Sequence, residues 1–493
     1  MSFLGIDLGT SEIKLLLIDA VGGLVGQAGA PLQVSRPQPL WSEQAPQDWW
    51  NALEAAIAEL RRMHAQAFAE VRAIGLSGQM HGAVLLGARD DVLRPAILWN
   101  DGRSHAECDE LTRRAPMLHA VAGNLAMPGF TAPKLLWVKA HEPAVFAQVR
   151  SVLLPKDYLR LLLTGEKVSD PSDAAGTLWL DVAARDWSDD LLAACDMNRS
   201  QMPRLVESNR PSACLRPEVA NAWGLGPEVI VAAGAGDNAA SAIGIGAVQP
   251  GDGFISLGTS GVLFVVNDRF RPNPASAVHA FCHALPQRWH QMSVMLSAAS
   301  CLKWFVDFSG ARDEAALLVE VAALSSESVT HAPIFLPYLA GERTPHNDPF
   351  AQGVFFGMSH ESTRALGAYA VLEGVAFGMA DGLAALQAAG TEVARLSLVG
   401  GGARSGLWAQ LIADALGVEI VVHAGSQAGA ALGAARLGWM AAGGIEAQVC
   451  AKPEVAARHL PDAGRHLQLQ PRLQRFREIY QRLRPVSFAG AST

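Results

Sequence analysis

Hydrophobic positions along the chain fall into two kinds of run that alternate from one end to the other. Gly5-Ile6-Asp7-Leu8 and Ile13 to Ile18 are continuous apolar stretches of strand length, split by the polar turn Gly9-Thr10-Ser11. Between Trp50 and Met63 the period changes: Leu53, Ile57 and Leu60 share one helical face, and Val71 to Leu76 returns to a strand. Farther on, a helix is predicted from 362 to 389, with Leu372, Val375, Met379, Gly382 and Leu386 at helical spacing. Leu396 to Val399 reads as a buried strand, Leu407, Leu411 and Ala415 lie on one face of a further helix, and Val418 to Val422 is again a strand. A last helix is predicted to start at Pro471, with Leu473, Phe476, Tyr480 and Leu483 on one side, and to fray at Pro485 and the polar tail behind it. Strands alternating with helices predict an α/β fold.

One strand-turn-strand phrase occurs twice. Phe254-Ile255-Ser256-Leu257-Gly258-Thr259-Ser260, followed by Val262 to Val266, repeats the design of the first hairpin. Gly in such a turn admits a ligand close to the backbone, and Thr and Ser hydroxyls with neighbouring N–H groups make an anion-binding concavity. Two such hairpins predict a clamp for one polyphosphate. The copies differ at Asp7, which stands where the second has Ser256, so only the first carries an acid able to hold a metal ion.

Composition narrows the class. Of 493 residues half are hydrophobic and 17% charged, enough for large cores; the length suits two large lobes or three domains. A net charge of −8 without a dense Lys/Arg stripe argues against nucleic acid or anionic membrane as partners. Cys108, Cys195, Cys214, Cys282, Cys301 and Cys450 are scattered, which reads as reduced thiols of a cytoplasmic protein. Met1-Ser2-Phe3-Leu4 lacks a basic leader, and the uncharged stretch 115–133 is broken by Pro116, His119, Asn124, Pro128 and Pro133, so no membrane span is predicted. The Gly-rich segment from Gly244 to Gly253, with Pro250, is the predicted lobe boundary.

The candidate chemistry sits at strand ends. Asp237 follows the run Val229 to Ala233 and two glycines, Gly234 and Gly236, which exposes its carboxylate where a substrate reaches it. Phosphoryl transfer to an alcohol needs such an acid to take the hydroxyl proton, and Asp7 on a metal ion beside the phosphates. Asp237 as a helix cap and Asp7 as an Asx-turn residue are the structural alternatives. Gly234-x-Gly236-x-x-Ala239 also fits a relaxed dinucleotide fingerprint, hence a dehydrogenase. That fingerprint wants an acid about twenty residues on, where this chain has Ser256-Leu257. No Gly-x-x-x-x-Gly-Lys occurs. Gly400-Gly401-Gly402-Ala403 enters a helix and offers N–H groups to a nucleotide. Of the polar loops, Gln79-Met80-His81-Gly82 and Trp99-Asn100-Asp101-Gly102-Arg103 suit a small polyol, while His81 alone equally suits a satisfied core imidazole. His283 and His290 near Cys282 lack metal-ligand spacing.

With these parts in order, nearly the whole chain resembles the FGGY carbohydrate kinases of the actin-like ATPase superfamily. The resemblance is carried by Ser77-Gly-Gln-Met-His-Gly82, Ile97-Leu-Trp-Asn-Asp-Gly-Arg103, Pro133-Lys-Leu-Leu-Trp137, Leu154-Pro-Lys-Asp-Tyr158, Ser172-Asp-Ala-Ala-Gly-Thr177, Gly236-Asp-Asn238, Gly341-Glu-Arg-Thr-Pro345 and Gly400-Gly-Gly-Ala-Arg-Ser405. It implies two actin-like (ribonuclease H-like) lobes, 1–246 and 247–493, each a mixed sheet flanked by helices, with the site in the cleft between them. It implies ATP and Mg2+ as cofactors and a small sugar as partner, xylulose first, with ribulose, arabinitol or glycerol as alternatives. A chaperone-like or filament-forming actin relative is the reading without a sugar, and a homodimer is left open. Asp237 is then the base acting on the C5 hydroxyl of a ketopentose, and with Asp7 it makes up the metal site. Met80 and His81 become the sugar-contacting pair where glycerol kinases carry Arg-Glu, with Trp99 and Asn238 beside them. Thr10, Ser11, Gly258 and Thr259 become the phosphate hairpins, and Gly400, Gly401, Gly402 and Ala403 the adenosine side. Two departures from the family pattern are Gly367, expected to touch packing only, and Ser426-Gln427-Ala428, near the expected nucleotide edge.

Overall fold

The structure, a computed structural model, describes residues 1–424 and 429–488; Ser426-Gln427-Ala428 and the last five residues lie outside it. Its first half builds a seven-stranded sheet from β1 (Ser2–Leu8), β2 (Glu12–Asp19), β3 (Leu24–Pro31), β4 (Val71–Gly78), β5 (Pro211–Cys214), β6 (Ile230–Ala232) and the short β7 (Ala235–Gly236). The spatial order is β5-β6-β4-β1-β2-β3, with β7 paired to the far end of β4. One face carries α1 (Pro46–Met63), begun by a proline at its first turn and burying Leu53, Ile57 and Leu60 as its period requires. The connection from β4 to β5 contains α2 (Pro155–Thr164), and β7 runs directly into α3 (Asp237–Ile245).

The second sheet is also mixed. It comprises β8 (Gly253–Leu257), β9 (Gly261–Asn267), β10 (His279–Cys282), β11 (Trp289–Met295), β12 (Arg395–Val399), β13 (Glu419–His423) and β14 (Val455–His459), ordered β10-β11-β9-β8-β12-β13-β14. Outside it pack α4 (Ala299–Ser309), the long α5 (Arg364–Gln387) and α6 (Gly406–Leu416). The helix α5 is long and apolar enough to cross a membrane, but its most apolar window is 89% buried within the protein, as the centre of a core is. Gly367 has its packing reason here, since a Cβ on it would come within 2.7 Å of the Phe305 ring.

One helix ties the halves together. α7 (Gly429–Ala441) comes from the second half of the chain yet lies on the first sheet and crosses α3. The approach is backbone to backbone. A side chain on Gly5 would meet Ala431 O, one on Gly75 would meet Ala434 O, one on Gly433 would meet Ala240 O, and one on Gly244 would sit 2.5 Å from Gly429 O.

The last helix departs from expectation. α8 runs Ala463–Phe488 with Pro471 and Pro485 inside it, where a start at Pro471 and fraying at Pro485 were predicted. An interior proline costs about 3 kcal/mol through a lost hydrogen bond and a ring clash. Here Pro471 faces solvent, and Leu467, whose carbonyl it leaves free, is 69% exposed, so the lost bond falls on the solvent side of the helix and not in the core. Burial of Leu469, Leu473, Phe476 and Tyr480, with Arg472 on Glu373 and Arg477 on Asp381 at 2.6 Å each, holds the helix through the proline. Leu483 is only partly buried at the edge of this face. On α6 the buried face is centred on Trp408 and Ile412, while Leu407 and Leu411 are only partly buried.

Candidate active site

Three parallel strands bring the first set of groups together. β1 pairs with β4 so that Asp7 lies beside Ser77, and β7 pairs with the other edge of β4 so that Gly236 lies beside Gly78. Asp7 and Asp237 therefore emerge at neighbouring carboxyl ends of one sheet, the place where open α/β sheets bind ligands. Ser77 Oγ donates to Asp7 Oδ1 at 2.9 Å. Burial pushes the Asp7 carboxyl above its ordinary range despite that bond. Asp237 is pushed up to about 6, first by burial and then by the charge on Asp7. It does not act as a helix cap: it is the first residue of α3, Gly236 holds the cap position, and Asp237 Oδ1 accepts from Asn238 N at 2.6 Å and Asn238 Nδ2 at 2.9 Å.

A buried charge cluster supports the turn before Asp237. Lys156 Nζ, fully buried on α2, lies 2.6 Å from Asp157, 2.8 Å from Asp170 and 3.0 Å from Asp173. Arg160 joins it and donates to Ala233 O, Ser208 Oγ donates to Asp170 at 2.8 Å, and Gly236 N donates to Ser172 Oγ at 3.2 Å. Two cations face three acids, and burial pushes the Asp173 carboxyl well above its usual range. Gly234, at φ +73°, makes the turn that this cluster clasps.

The polar loop after β4 packs against that turn. Met80 Sδ would lie 2.8 Å from a Cβ on Gly236, and His81 Nδ1 lies 2.7 Å from Gly176 O. A carbonyl only accepts, so Nδ1 carries the proton and Nε2 presents a lone pair. Burial holds this imidazole near 3, hence neutral at physiological pH. The His81 carbonyl accepts from Lys134 Nζ at 2.8 Å and Thr131 Oγ1 at 3.1 Å, which fixes the loop from behind.

Both hairpins turn their carbonyls inward. In the first, Gly9 N donates to Glu12 O at 3.0 Å, Gln44 Nε2 donates to Thr10 O at 2.8 Å and Leu32 N donates to Ser11 O at 2.8 Å. In the second, Ala299 N and Ala298 N donate to Gly258 O and Thr259 O at 2.8 and 2.9 Å. The N–H groups of Thr10, Ser11, Thr259 and Ser260 have no backbone acceptor among the described residues, which is the arrangement that receives an anion. The Thr10 hydroxyl is already committed, donating to Gln79 Oε1 at 3.1 Å and accepting from Trp99 Nε1 at 2.9 Å. Gln79 in turn donates to Gln44 Oε1 at 3.1 Å. Gln44 and this use of Gln79 are invisible in the sequence, where nothing marks two glutamines 35 residues apart as partners.

The second sheet gathers the glycines. β8 and β12 run parallel with Ser256 beside Val399, so Gly258 and Gly400 follow neighbouring strand ends. A Cβ on Gly400 would lie 2.8 Å from Leu257 O, and one on Gly402 would strike the Leu257 side chain. Gly258, Thr259 and Gly400 to Ala403 thus form one patch, with Gly401 to Arg404 a short 3-10 turn before α6. No hydrogen bond joins this patch to the first hairpin among the described residues.

One predicted polyol loop is corrected. Asp101 and Arg103 bind each other at 2.7 Å, Arg103 pairs with Glu43 at 2.7 Å, and its guanidinium lies 3.6 Å from the Trp41 ring centroid. Both are spent on holding the loop, which leaves Trp99, 47% exposed, and Asn100 facing out. Trp99→Phe, which removes its bond to Thr10, is expected to weaken polyphosphate binding at the first hairpin roughly three- to tenfold with an unchanged Tm, the size of one hydrogen bond; a binding titration and a thermal melt check it.

Comparison with known proteins decides the family. Residues 2–244 match the N-terminal domain model of the FGGY family of carbohydrate kinases, and residues 253–442 match its C-terminal domain model. The chain belongs to the FGGY family of carbohydrate kinases. It is 52% identical over 486 residues to a xylulose kinase of Escherichia coli K12, covering 98% of this chain and 99% of that one. Among solved structures, a xyloylose kinase from Brucella ovis is 51% identical with a TM-score of 0.95, covering 99% of this chain and all of that one. A xylulose kinase from Rhodospirillum rubrum is 29% identical with a TM-score of 0.91 over the same shares. The two mixed sheets are therefore the two actin-like lobes of FGGY kinases, and the protein is a phosphotransferase, which sets the dinucleotide and chaperone readings aside.

Proposed function

We propose that this kinase transfers the γ-phosphoryl group of ATP to the C5 hydroxyl of D-xylulose, with Asp237 as the base. The observation that carries the reading is the half-buried Asp237 carboxylate, held at about 6 beside Asp7 at the sheet end where Met80 and His81 also lie. A base of that pKa is deprotonated near neutrality and still basic enough to take a hydroxyl proton as it is lost. Similarity to xylulose kinases over nearly the whole chain supports the sugar.

The roles follow from position. Met80 packs under the Gly236 turn, and neutral His81 accepts a sugar hydroxyl through Nε2; Trp99 and Asn238 border the same space. The N–H groups of Thr10, Ser11 and Thr259 receive phosphate oxygens, Gly258, whose own N–H donates to Ser260 O at 3.1 Å, shapes the second turn beside them, and Gly400, Gly401, Gly402 and Ala403 lie along the adenosine. No cluster of three or more His, Cys, Asp or Glu groups suited to a metal occurs among the described residues. Mg2+ seldom needs one, since it keeps several waters and takes one or two carboxylates plus substrate phosphates. Asp7 and Asp237, close enough that the charge on Asp7 helps raise the Asp237 carboxyl, fit that donor set. The ion, when bound, supplies charge neutralisation at the phosphates. Lobe closure excludes water so that the sugar hydroxyl meets the phosphoryl group.

We place the lobe division at 246/247, where α3 ends and the chain crosses toward β8. Five of the six cysteines are buried and all are free, which suits a cytoplasmic enzyme. A coupled ADP assay with a panel of ketoses and alditols tests the substrate: D-xylulose is expected to give the highest kcat/KM, and an equal or higher value on ribulose, arabinitol or glycerol would overturn it.

A further inference from the structure

His279 and Arg343 lie beside the site, and the charge on Arg343 reaches both His279 and His81. His279, 6% exposed on β10, has Nδ1 3.0 Å from Asn124 Oδ1. The amide oxygen is fixed as an acceptor, because Ala280 N also donates to it at 3.3 Å while Asn124 Nδ2 donates to Ala122 O and Ala280 O. Nδ1 of His279 therefore holds the proton, and Nε2 is a lone pair without a protein partner among the described residues. This is the state of His81, whose Nδ1 proton goes to Gly176 O. The neighbouring His283 shows the satisfied alternative: its Nε2 lies 3.3 Å from Ala247 O, and its Nδ1 accepts from Leu285 N at 3.1 Å.

The two half-satisfied imidazoles share one aromatic wall. Phe130 has its ring centroid 4.5 Å from His81 and 5.7 Å from His279, and Phe281 stacks on His279 at 5.6 Å. Arg343 stands next to this wall, in a backbone held on both sides. Thr344 Oγ1 donates to Ala277 O at 2.9 Å, two residues before His279, and Glu342 Oε1 accepts from Arg343 N at 2.7 Å and Leu296 N at 3.0 Å. The half-buried Arg343 guanidinium has no hydrogen-bond or ion-pair partner among the described residues, an arrangement that costs stability unless a ligand fills it. Its charge helps keep both imidazoles neutral.

We propose that His279 and Arg343 complete the sugar site begun by Met80 and His81, with His279 Nε2 accepting from one substrate hydroxyl and the Arg343 guanidinium donating to another substrate oxygen. The inference rests on the kinase reading above. Two neutral acceptors and one fork of donors on an aromatic wall match an uncharged polyhydroxylated ligand, whose hydroxyls donate to imidazole and whose oxygens accept from guanidinium. A ligand without hydroxyl donors would leave the two acceptors unfilled.

The test uses His279→Leu and Arg343→Met in the full enzyme, with D-xylulose and its 1-deoxy, 3-deoxy and 4-deoxy analogues. Each variant is expected to raise the sugar KM about tenfold or more with kcat within about threefold and the KM for ATP unchanged. One deoxy analogue should lose nothing further in His279→Leu, because the hydroxyl it lacks is the one His279 reads. Equal losses on every analogue, an unchanged sugar KM, or a raised KM for ATP would overturn the proposal. Arg343→Met decides if His279→Leu fails to fold, since that side chain has no protein partner to lose. Should wild-type enzyme phosphorylate no ketopentose, the proposed function falls, and the same variants are judged on the sugar that the panel selects.

Discussion

Asp237→Asn is expected to lower kcat by about 10²- to 10⁴-fold while D-xylulose still binds, the contribution of a positioned general base. The amide keeps the shape of the side chain but can no longer take a proton, and it also withdraws the negative charge that would face Mg2+. Its supports survive the change, because the Gly234–Gly236 turn is held through Arg160 on Ala233 O and Ser172 on Gly236 N, neither of which touches the Asp237 carboxyl. The pH profile of the wild type carries the same signature. Asp237 sits at about 6 in the free enzyme, and the active form is the deprotonated one. Turnover at limiting sugar is therefore expected to be near full at pH 7.5 and to fall through pH 6, about tenfold per unit below it. Asp237→Asn should abolish that acid limb. A variant with wild-type turnover, or a wild-type rate flat down to pH 5, would remove Asp237 from the chemistry.

Gly75→Ala is the largest expected stability effect. The added Cβ would fall on the carbonyl of Ala434, a backbone atom of α7 that cannot swing aside, with Gly438 N at 2.8 Å on the same side. Overpacking of this kind costs about 1–3 kcal/mol and more where backbone must move. The expected outcome is a Tm lower by about 5 °C or more. Gly433→Ala should behave alike through Ala240 O. Gly406→Ala is the control, since its Cβ would meet only His459 Cε1 at an ordinary 3.6 Å and its Tm should stay within about 1 °C. Circular dichroism melts of the three variants decide it. Loss of stability in Gly75→Ala should also depress turnover, because α7 lies against β1 and β4, the strands that carry Asp7 and Ser77 near their carboxyl ends.

What was legible in the sequence was whatever short range fixes. The two hairpins, α1 and the strands after them follow from runs of apolar residues and the turn chemistry between them, and the family motifs named Asp7, Met80, His81 and Asp237 at one site. Long-range partners were not legible. Asp101 and Arg103 look the same in sequence whether they face a polyol or each other, and only the fold brings Glu43 and Trp41 against them. Pro471 read as a helix start because local propensity cannot see the burial of Leu469 and Phe476 or the pairs at Glu373 and Asp381 that carry α8 through it. His279 is one imidazole in an apolar strand until Asn124, 155 residues away, claims its Nδ1 proton. The Gly and Ala residues of α7 were visible, but their purpose, a backbone approach to the other lobe's sheet, was not.

The enzyme is expected to transfer the γ-phosphoryl group of ATP to one hydroxyl of D-xylulose. The most direct measurement is phosphorus and proton NMR of the mixture after the enzyme has acted on Mg-ATP and D-xylulose. The account predicts one ADP per sugar consumed and D-xylulose 5-phosphate as the single product. ADP release at the same rate without sugar, or phosphate on another hydroxyl, would contradict it.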